Sequence, residues 1–483
     1  MRFTGLKYLQ LLACLGLFAC GSAERYDVVI VGGGASGTAA GLQAARMGAR
    51  TLIVEEFDWL GGMLTSAGVS ATDGNYRLRG GIWDEFWTEL ARHYGCDSAL
   101  MTGWGRNVLF EPSVGDSIFK RLVAREPNLT VWYRSAAETA ERGKDVWRLG
   151  VRRDGRLRQV EADVLVDATE LGRMAGVPYD VGMDSSAVTH EDIAPAEANG
   201  IVQDLTYVAV LKDYGRDVTI PRPDGYDPSL FACCCVNDLC VAPKEPHRMW
   251  SREMMITYGK LPDGKYMINW PIEGNDYYVD MIDMTPEERA DAVRRAKSHT
   301  LSFVYFLQHE LGFNTLGLAD DEFPTDDRLP FIPYHRESRR IHGAVRFTLN
   351  DITDPYAGTL YRTAVGVGDY PVDQHHTRYS GWDDLPDLYF HPIPSYGFPL
   401  GIVIPAGFPG LLVAEKSVSV TNLVNGSTRL QPVVLQIGQA TGALAALAAA
   451  AGVDPSEVAV RRVQEAVLDA GGYLLPYLDL PAG

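Results

Sequence analysis

The chain has 483 residues, of which 46% are apolar and 22% are charged, a composition that excludes wholesale disorder. Its formal net charge of −18 argues against sequence-independent binding to nucleic-acid backbones, because such binding needs clustered cations. The length predicts about two to four domains, or one large interrupted domain.

The first residues have the features of a signal peptide. Arg2 and Lys7 provide a positive start, and residues 9–19 form an apolar core. A core of this length is too short to cross a bilayer and fits an export signal, which we place at residues 1–19. We therefore expect an exported protein, located in the periplasm or at the cell surface.

The end of this leader, Leu17-Phe18-Ala19-Cys20-Gly21, resembles a bacterial lipobox, in which the cysteine becomes the lipidated first residue after cleavage. Phe18 is bulkier than the small residue usual at that position. We expect lipidation of Cys20 and attachment to the membrane through this lipid anchor alone. The alternative is ordinary cleavage nearby, which gives a soluble secreted protein.

A strand–helix–strand pattern follows the leader. Residues 26–31 form a short β-branched apolar run, residues 32–37 contain Gly-x-Gly-x-x-Gly, residues 38–48 predict an Ala-rich helix, and residues 50–56 predict a second strand. This is the context that a dinucleotide-binding fingerprint requires. The sequence therefore predicts a Rossmann-like α/β fold.

Each glycine of the fingerprint has a physical role. Gly32 permits the tight turn, Gly34 lets backbone N–H groups approach a pyrophosphate, and Gly37 allows the helix to pack closely on the strand. The helix N-terminus favours anionic phosphates. Glu55, at the end of the second strand, is placed to bind both ribose hydroxyls, and its charge argues against a 2′-phosphate and hence against NADP.

Later segments decide between FAD and NAD. Residues 128–142 predict a strand, residues 146–169 predict a hairpin that returns into a buried strand, and residues 410–420 predict another buried strand. The segment 425–432 then leads into a helix over residues 433–452. This order resembles that of the glutathione-reductase-like FAD oxidoreductases, and the resemblance implies that the last helix points its N-terminus at the flavin.

The resemblance can be narrowed to a bacterial family often labelled "FAD-dependent oxidoreductase" and sometimes "xanthan lyase". Segments 329–341, 368–376, 429–432 and 438–442 are similar to motifs of that family, and the similarity covers residues 26–455. The chain departs from the family pattern at Glu170 and Arg173, and it has Glu415 where Gly-Arg or Gly-Lys is usual. The resemblance implies FAD as cofactor, with contacts expected from Gly32, Gly34, Ser36, Gly37, Glu55, Glu56, Gly62, Met63, Thr169, Arg429, Gln431, Pro432 and Gly438.

The expected organisation is a discontinuous FAD-binding domain of the glutathione-reductase type with an inserted α+β substrate domain. Within the insert, Thr285 and Glu288 predict a capping box at the start of a helix over residues 285–312, and Phe303, Phe306 and Leu307 are expected in its core. The expected divisions are 24–182 for the first FAD-binding part, 183–335 for the insert, 336–470 for the second FAD-binding part with a substrate-loop segment at 366–401, and 471–483 for the tail.

Four cysteines crowd into residues 233–240. An exported context permits disulfides, so we expect either a disulfide, for example Cys235–Cys240 or a vicinal pair, or buried thiols. A metal site is the less favoured reading, because the cluster has no CxxC pair and no histidine at ligand spacing.

Oxidation by a flavin requires a base for the departing proton, and histidine suits this role near neutral pH. The candidates are His375 and His376, with Asp373 orienting one of them, and His391 in reserve. Trp270 and Tyr396 are candidate substrate contacts, and Tyr396 is also a fallback base. A second dense group, Arg336, Glu337, Arg339 and Arg340, predicts an ion-pair network between domains; the alternative is that one of these arginines reaches the flavin or an anionic substrate.

We expect an exported FAD-dependent dehydrogenase or oxidase that transfers a hydride from a small organic substrate, such as a sugar or glycoside, to flavin N5. The sequence has no second Gly-x-Gly-x-x-Gly in a strand–helix–strand context. Oxygen, a quinone or a protein carrier would therefore reoxidise the flavin. One alternative is a flavin-dependent lyase or epimerase that works by internal redox chemistry. The other is a non-enzymatic, FAD-containing lipoprotein that binds glycans.

Overall fold

The structure, a computed structural model, describes residues 23–104, 108–169 and 175–477. The expected leader with Cys20, and the family departures Glu170 and Arg173, lie outside the described residues. The first part of the chain forms these elements: β1 (Glu24–Val31), α1 (Ala35–Arg46), β2 (Thr51–Val54), β3 (Ala71–Thr72), α2 (Gly81–Tyr94), β4 (Val108–Leu109), α3 (Pro112–Ala124), β5 (Leu129–Trp132), β6 (Ser135–Arg142), β7 (Trp147–Arg153) and β8 (Arg156–Asp167).

The middle of the chain forms β9 (Tyr179–Asp180), α4 (Ser186–Thr189), β10 (Leu205–Thr206), β11 (Ala209–Asp213), α5 (Arg252–Thr257), β12 (Lys265–Ile268), β13 (Asp276–Tyr277), α6 (Pro286–His309) and β14 (Leu316–Leu318). The last part forms β15 (Arg340–Ile341), α7 (Leu349–Thr353), β16 (Ala364–Gly368), β17 (Tyr396–Pro399), β18 (Leu411–Val413), α8 (Asn422–Thr428), α9 (Gln431–Ala451) and α10 (Val460–Asp469).

The main sheet joins the two ends of the chain. Its parallel core has the order β5-β2-β1-β8, and β18 adds to the C-terminal end of β8, also in parallel. The N-terminal half of β8 instead pairs with β7 in the antiparallel sense, and β7 pairs with β6. This arrangement confirms the Rossmann-like α/β fold and its discontinuity in sequence, since a strand near residue 411 completes a sheet that begins at residue 24.

Two strand predictions need correction. The predicted strand over 128–142 is two strands, because the chain turns between β5 and β6 at Arg134, which has a left-handed φ of 49°. The predicted strand over 410–420 is only β18, since Glu415 takes a left-handed φ of 57° and ends the extended run. After β18, the apolar side chains of Ala414, Val418 and Val420 are buried without being part of the ladder.

Helices α1 and α9 pack against each other at unusually short range. A Cβ built on Gly438 would lie 2.2 Å from the Ser36 carbonyl oxygen, and one on Gly442 would lie 2.2 Å from that of Ala40. Among the described residues, α9 is also the one helix long and apolar enough to cross a membrane. Because most of it is buried inside the protein, its length and composition equally fit a core helix.

The middle segment forms a second core. β11 pairs with β12 and β14 in the antiparallel sense, and helix α6 covers them. The capping box of Thr285 and Glu288 is present, which confirms the predicted helix start. Phe303, Phe306 and Leu307 are buried, as predicted for core residues.

The cysteine-rich loop contains one disulfide, between Cys233 and Cys240, whose Cα atoms are 4.6 Å apart. The loop therefore has a disulfide, as expected, but it is neither Cys235–Cys240 nor a vicinal pair. Cys234 and Cys235 are buried free thiols, because the loop turns their side chains into the core formed by the middle segment. Within the described residues, no group of three or more His, Cys, Asp or Glu side chains could hold a metal ion.

Candidate functional site

The glycine-rich loop between β1 and α1 is as tight as its sequence predicts. Gly32 has a φ of 97°, which favours glycine, and a Cβ on Gly37 would lie 1.9 Å from the Gly32 carbonyl oxygen. Gly34 is the N-cap of α1, so the first N–H groups of this helix open onto the loop. Such a helix start is suited to bind an anion.

Glu55 lies where the fingerprint requires a carboxylate. Its Oε2 accepts a hydrogen bond from the Gly33 N–H at 2.6 Å, and its Oε1 accepts one from the Phe57 N–H at 2.8 Å. Burial raises the pKa of Glu55 to about 7, and the two backbone N–H groups oppose this shift only in part. Glu56 is exposed, so its side chain does not share this site.

The loop after β2 folds back onto the glycine-rich loop. The Gly61 N–H donates to the Gly33 carbonyl at 2.8 Å, and a Cβ on Gly62 would lie 2.8 Å from the Gly34 Cα. Met63 is buried behind this contact. On the other side, the Thr169 methyl group packs on Gly32, where an added Cβ would lie 2.4 Å away. These predicted contact residues therefore lie together around the glycine-rich loop. We call the group formed by Gly32, Gly34, Gly37, Gly62, Met63 and Thr169 the glycine cradle.

The N-terminus of α1 carries two links to the last part of the chain. The Ser36 hydroxyl donates to the Val434 carbonyl of α9 at 2.6 Å, and the Ser36 N–H donates to the Glu415 carboxylate at 2.7 Å. The close packing of Gly438 on Ser36 accounts for glycine at that position through helix packing rather than through a cofactor contact.

The start of α9 joins the cradle to a polar region. Arg429 donates to the Tyr334 hydroxyl at 2.8 Å and to the Asp373 carboxylate at 3.2 Å. The Gln431 amide donates to the Ala71 carbonyl at 2.9 Å, and Pro432 occupies the first turn of the helix. The first turn of α9 therefore lies between β3 and the segment around Asp373.

A buried group of titratable side chains, which we call the acid–histidine cluster, lies beside Arg429. His375 is held between two carboxylates, with Nδ1 3.2 Å from Asp276 and Nε2 3.1 Å from Asp373. Arg336 pairs with Asp276 at 3.0 Å. The members of the cluster are Asp73, Asp276, Asp373, His375 and His376.

Charge pairing dominates the two aspartates that hold His375. Burial opposes the ionisation of Asp373, but the charges of His375 and Arg429 outweigh it and lower its pKa to about 2. Burial likewise opposes ionisation of Asp276, yet Arg336 and His375 hold its pKa well below the usual range. Both carboxylates are therefore ionised at neutral pH.

His376, unlike the two aspartates, is uncharged at neutral pH. It is only 7% exposed, and its Nε2 has no hydrogen-bond partner among the described residues. Burial, and then the positive charges of His375, Arg336 and Arg429, lower its pKa to about 3. The ring is therefore neutral and keeps an available nitrogen.

Sequence reasoning missed Asp73, which follows β3. Burial, and then the charge of Asp373, raise its pKa to about 7. Its charge in turn adds to burial in raising the pKa of Tyr258 and Tyr370, so these tyrosines surround it. An acidic residue that follows a two-residue strand gives no signal in the sequence; only the turn that packs Gly74 on Tyr370 brings it into the cluster.

Three other predicted residues lie away from these groups or are committed to the core. The Trp270 indole donates to the Cys234 carbonyl at 2.7 Å inside the second core. Tyr396 is fully buried and its hydroxyl lies 2.7 Å from that of Ser427. Both are packed by apolar neighbours, so their predicted substrate contact is not supported. The backbone of His391 pairs with Val372, and its half-buried ring belongs to a surface loop.

The arginine-rich group forms the predicted ion-pair network. Arg339 pairs with Asp283 at 2.9 Å, and Arg340 reaches Glu337 at 3.3 Å and Asp184 at 3.5 Å. These ion pairs link the middle segment to the last part of the chain.

The residues fit an FAD molecule. The glycine cradle and Glu55 match the needs of a dinucleotide, and several buried polar atoms of the loop after β2, of β3, of the start of α9 and of the cluster have no hydrogen-bond partner among the described residues. These atoms are Ser66 Oγ, Ser70 Oγ, Thr72 Oγ1, Gln431 Oε1, Asp373 Oδ1 and His376 Nε2.

The sequence pattern of the FAD dependent oxidoreductase family matches residues 27–467, so the chain belongs to this family. The fold and the site thus define an FAD-dependent oxidoreductase, and FAD is its cofactor. A search of the curated proteins found no match.

Solved structures with a similar fold are remote. The p-nitrophenol 4-monooxygenase PnpA from Pseudomonas putida DLL-E4 is 12% identical over 92% of this chain and 84% of that chain, with a TM-score of 0.35. The L-proline dehydrogenase from P. horikoshii is 20% identical, with a TM-score of 0.20, and the match spans 34% of this chain but only 25% of that one. The flavin-dependent monooxygenase PieE, solved with FAD and substrate, is 14% identical over 39% of this chain and 35% of that one, with a TM-score of 0.27.

Proposed function

We propose that this chain is an exported FAD-dependent dehydrogenase or oxidase that removes a hydride from a substrate carbon and a proton from the hydroxyl or amine group on that carbon. The observation that carries the proposal is the acid–histidine cluster next to the start of α9. It places a neutral histidine and a carboxyl with a pKa of about 7 beside fixed charges. Perturbed groups of this kind gather at catalytic sites.

The cofactor is held by two parts of the chain. The glycine-rich loop and Glu55 bind its dinucleotide part, and the loop with Gly62 and Met63 together with the start of α9 holds its flavin part. FAD, when bound, supplies the hydride acceptor. The protein must supply the proton acceptor and the orientation of the substrate.

Two residues are suited to the role of proton acceptor. Asp73 has a pKa of about 7, which matches the operating pH of a general base. His376 is neutral and offers an unpartnered Nε2, so it can accept a hydrogen bond from a second hydroxyl of the substrate, next to the reacting group. His375 is unsuited, because both of its nitrogens already face carboxylates. We therefore assign Asp73 as base and His376 as the group that orients the substrate.

A sugar or glycoside is the substrate class that we favour. Tyr258, Tyr370 and Tyr389 lie near the charges of Asp73 and Asp373, and tyrosine rings beside carboxylates can both stack on and hydrogen-bond to a sugar. Export is supported by the disulfide between Cys233 and Cys240, since such bonds persist in oxidising compartments.

The test is anaerobic bleaching of the bound flavin by a panel of sugars, glycosides, amines and hydroxy acids. We expect at least one sugar or glycoside to bleach the flavin as it is oxidised to a carbonyl product, and oxygen or a quinone then to restore the flavin absorbance. Turnover without any added acceptor would instead indicate internal redox chemistry. No bleaching by any member of the panel would contradict the proposed function.

A further inference from the structure

Glu415 occupies the part of the cradle that is suited to a phosphate. Its carboxylate accepts hydrogen bonds from the backbone N–H groups of Ser36, at 2.7 Å, and Ala35, the first residues of α1. The same oxygen lies 2.5 Å from where a Cβ on Gly34 would be. In a strand–helix–strand unit of this type, the helix start and the second glycine are where a pyrophosphate binds.

The backbone conformation of Glu415 is also unusual for a residue other than glycine. The residue has a left-handed φ of 57°, a conformation in which glycine is unstrained and other residues are not. The glutamate is thus kept in a glycine conformation, and in that conformation its side chain reaches the α1 N-terminus.

The carboxylate and a pyrophosphate would be mutually exclusive at this place. Both are anions, and both would use the same N–H groups of the first turn of α1. The positive charge of the adjacent Lys416 favours the ionised form of the Glu415 carboxyl. The carboxyl is half-buried, and burial raises its pKa, with Lys416 and the two N–H groups opposing the shift.

We propose that Glu415 is a built-in competitor of the FAD pyrophosphate, which caps α1 in the cofactor-free protein and must swing away before FAD can bind. The consequence is a cofactor that binds more weakly and more slowly than the glycine cradle alone would allow. This inference rests on the FAD site and not on the proposed substrate, so a failed substrate panel leaves it unaffected.

The test compares FAD binding to apoprotein carrying Glu415→Gly, Glu415→Gln or neither change. Glu465→Gln is the matched control, because Glu465 is an exposed residue of α10 and its loss changes the net charge equally. Binding is followed by quenching of flavin fluorescence, and circular dichroism establishes that each apoprotein is folded. We expect Glu415→Gln to lower the Kd for FAD at least about tenfold, Glu415→Gly to lower it further, and Glu465→Gln to leave it unchanged.

A second measurement isolates the pyrophosphate. ADP carries it and adenosine does not, so the same Glu415 variants should tighten the binding of ADP and leave that of adenosine unchanged. The inference is overturned if either variant binds FAD no more tightly than the unchanged protein, or if adenosine and ADP gain equally, since the effect would then not act on phosphate.

Discussion

Asp373 Oδ2 lies 3.1 Å from Nε2 of His375, and this contact organises the buried cluster beside α9. The other ring nitrogen faces Asp276, so the imidazole can donate to both carboxylates only when it is protonated. Arg429 pairs with the same carboxylate of Asp373. The cluster therefore joins two ionised carboxylates through one imidazole that contacts both, whereas His376, with a pKa lowered to about 3, stays neutral.

Removing the imidazole that joins the two acids should destabilise the fold. We expect His375→Ala to lower the free energy of unfolding by about 3–5 kcal/mol, because two buried carboxylates lose the ring nitrogen that each of them contacts. Chemical denaturation followed by circular dichroism measures the change. His247→Ala, at an exposed position, is the control and should cost less than about 0.5 kcal/mol. Equal stability of the two variants would show that the contacts of His375 do not stabilise the cluster.

The proposed base can be separated from the orienting group by kinetics. We expect Asp73→Asn to slow flavin reduction about 10²–10⁴-fold and to remove its rise with pH near about 7, because general-base help is lost. His376→Ala should raise the substrate concentration needed for half-maximal reduction while the pH profile is kept. Stopped-flow absorbance at several pH values measures both. A pH profile that survives in Asp73→Asn and disappears in His376→Ala would reverse the two roles.

The glycine cradle predicts a variant that cannot hold FAD. Gly34→Val should abolish stoichiometric FAD binding, because its side chain would stand at the N-cap of α1, where a pyrophosphate must approach the backbone N–H groups. Gly358→Val is a matched control, since a Cβ there meets nothing within 4 Å. The ratio of flavin to protein absorbance measures occupancy. A yellow, fully loaded Gly34→Val protein would show that this loop does not bind the cofactor.

Glu55 should make the apoprotein less stable as the pH rises. Its pKa is raised from 4.5 to about 7 on folding, so between these values the folded state binds more protons than the unfolded state. Its contribution to the free energy of unfolding therefore falls by about 3 kcal/mol as the pH rises through this window. Urea denaturation at about pH 5 and about pH 8 should show that Glu55→Gln lacks this loss. Parallel pH profiles of the two proteins would contradict the assigned shift.

The leader predicts where the protein is found in a cell. Expressed with residues 1–20 intact, it should fractionate with membranes, and Cys20→Ala should release it or block its processing. A triacylated cysteine anchors stably because each buried CH₂ contributes about 0.8 kcal/mol. Mass spectrometry of the mature N-terminus checks the modification. An unmodified Cys20, or a start downstream of it, would leave the protein soluble and exported by ordinary cleavage.

Local patterns were enough for the elements that depend on neighbouring residues. The strand, glycine-rich loop and helix from Glu24 to Arg46 follow from a buried apolar run and from glycines that only a tight turn requires. The start of α6 follows from Thr285 and Glu288, which satisfy each other's backbone groups. Such elements need no distant contact to be specified.

Only the tertiary structure decided which distant residues meet. Asp73, Asp276 and Asp373 come from three separate segments. The pKa of Asp73 is raised and those of the other two are lowered, because the balance between burial and nearby positive charges differs among them. The pairing of Cys233 with Cys240 depends on the path of a loop, which four crowded cysteines do not define. Glu415 is a departure from a motif in the sequence, and it becomes a group that caps α1 only because β18 ends beside the glycine-rich loop.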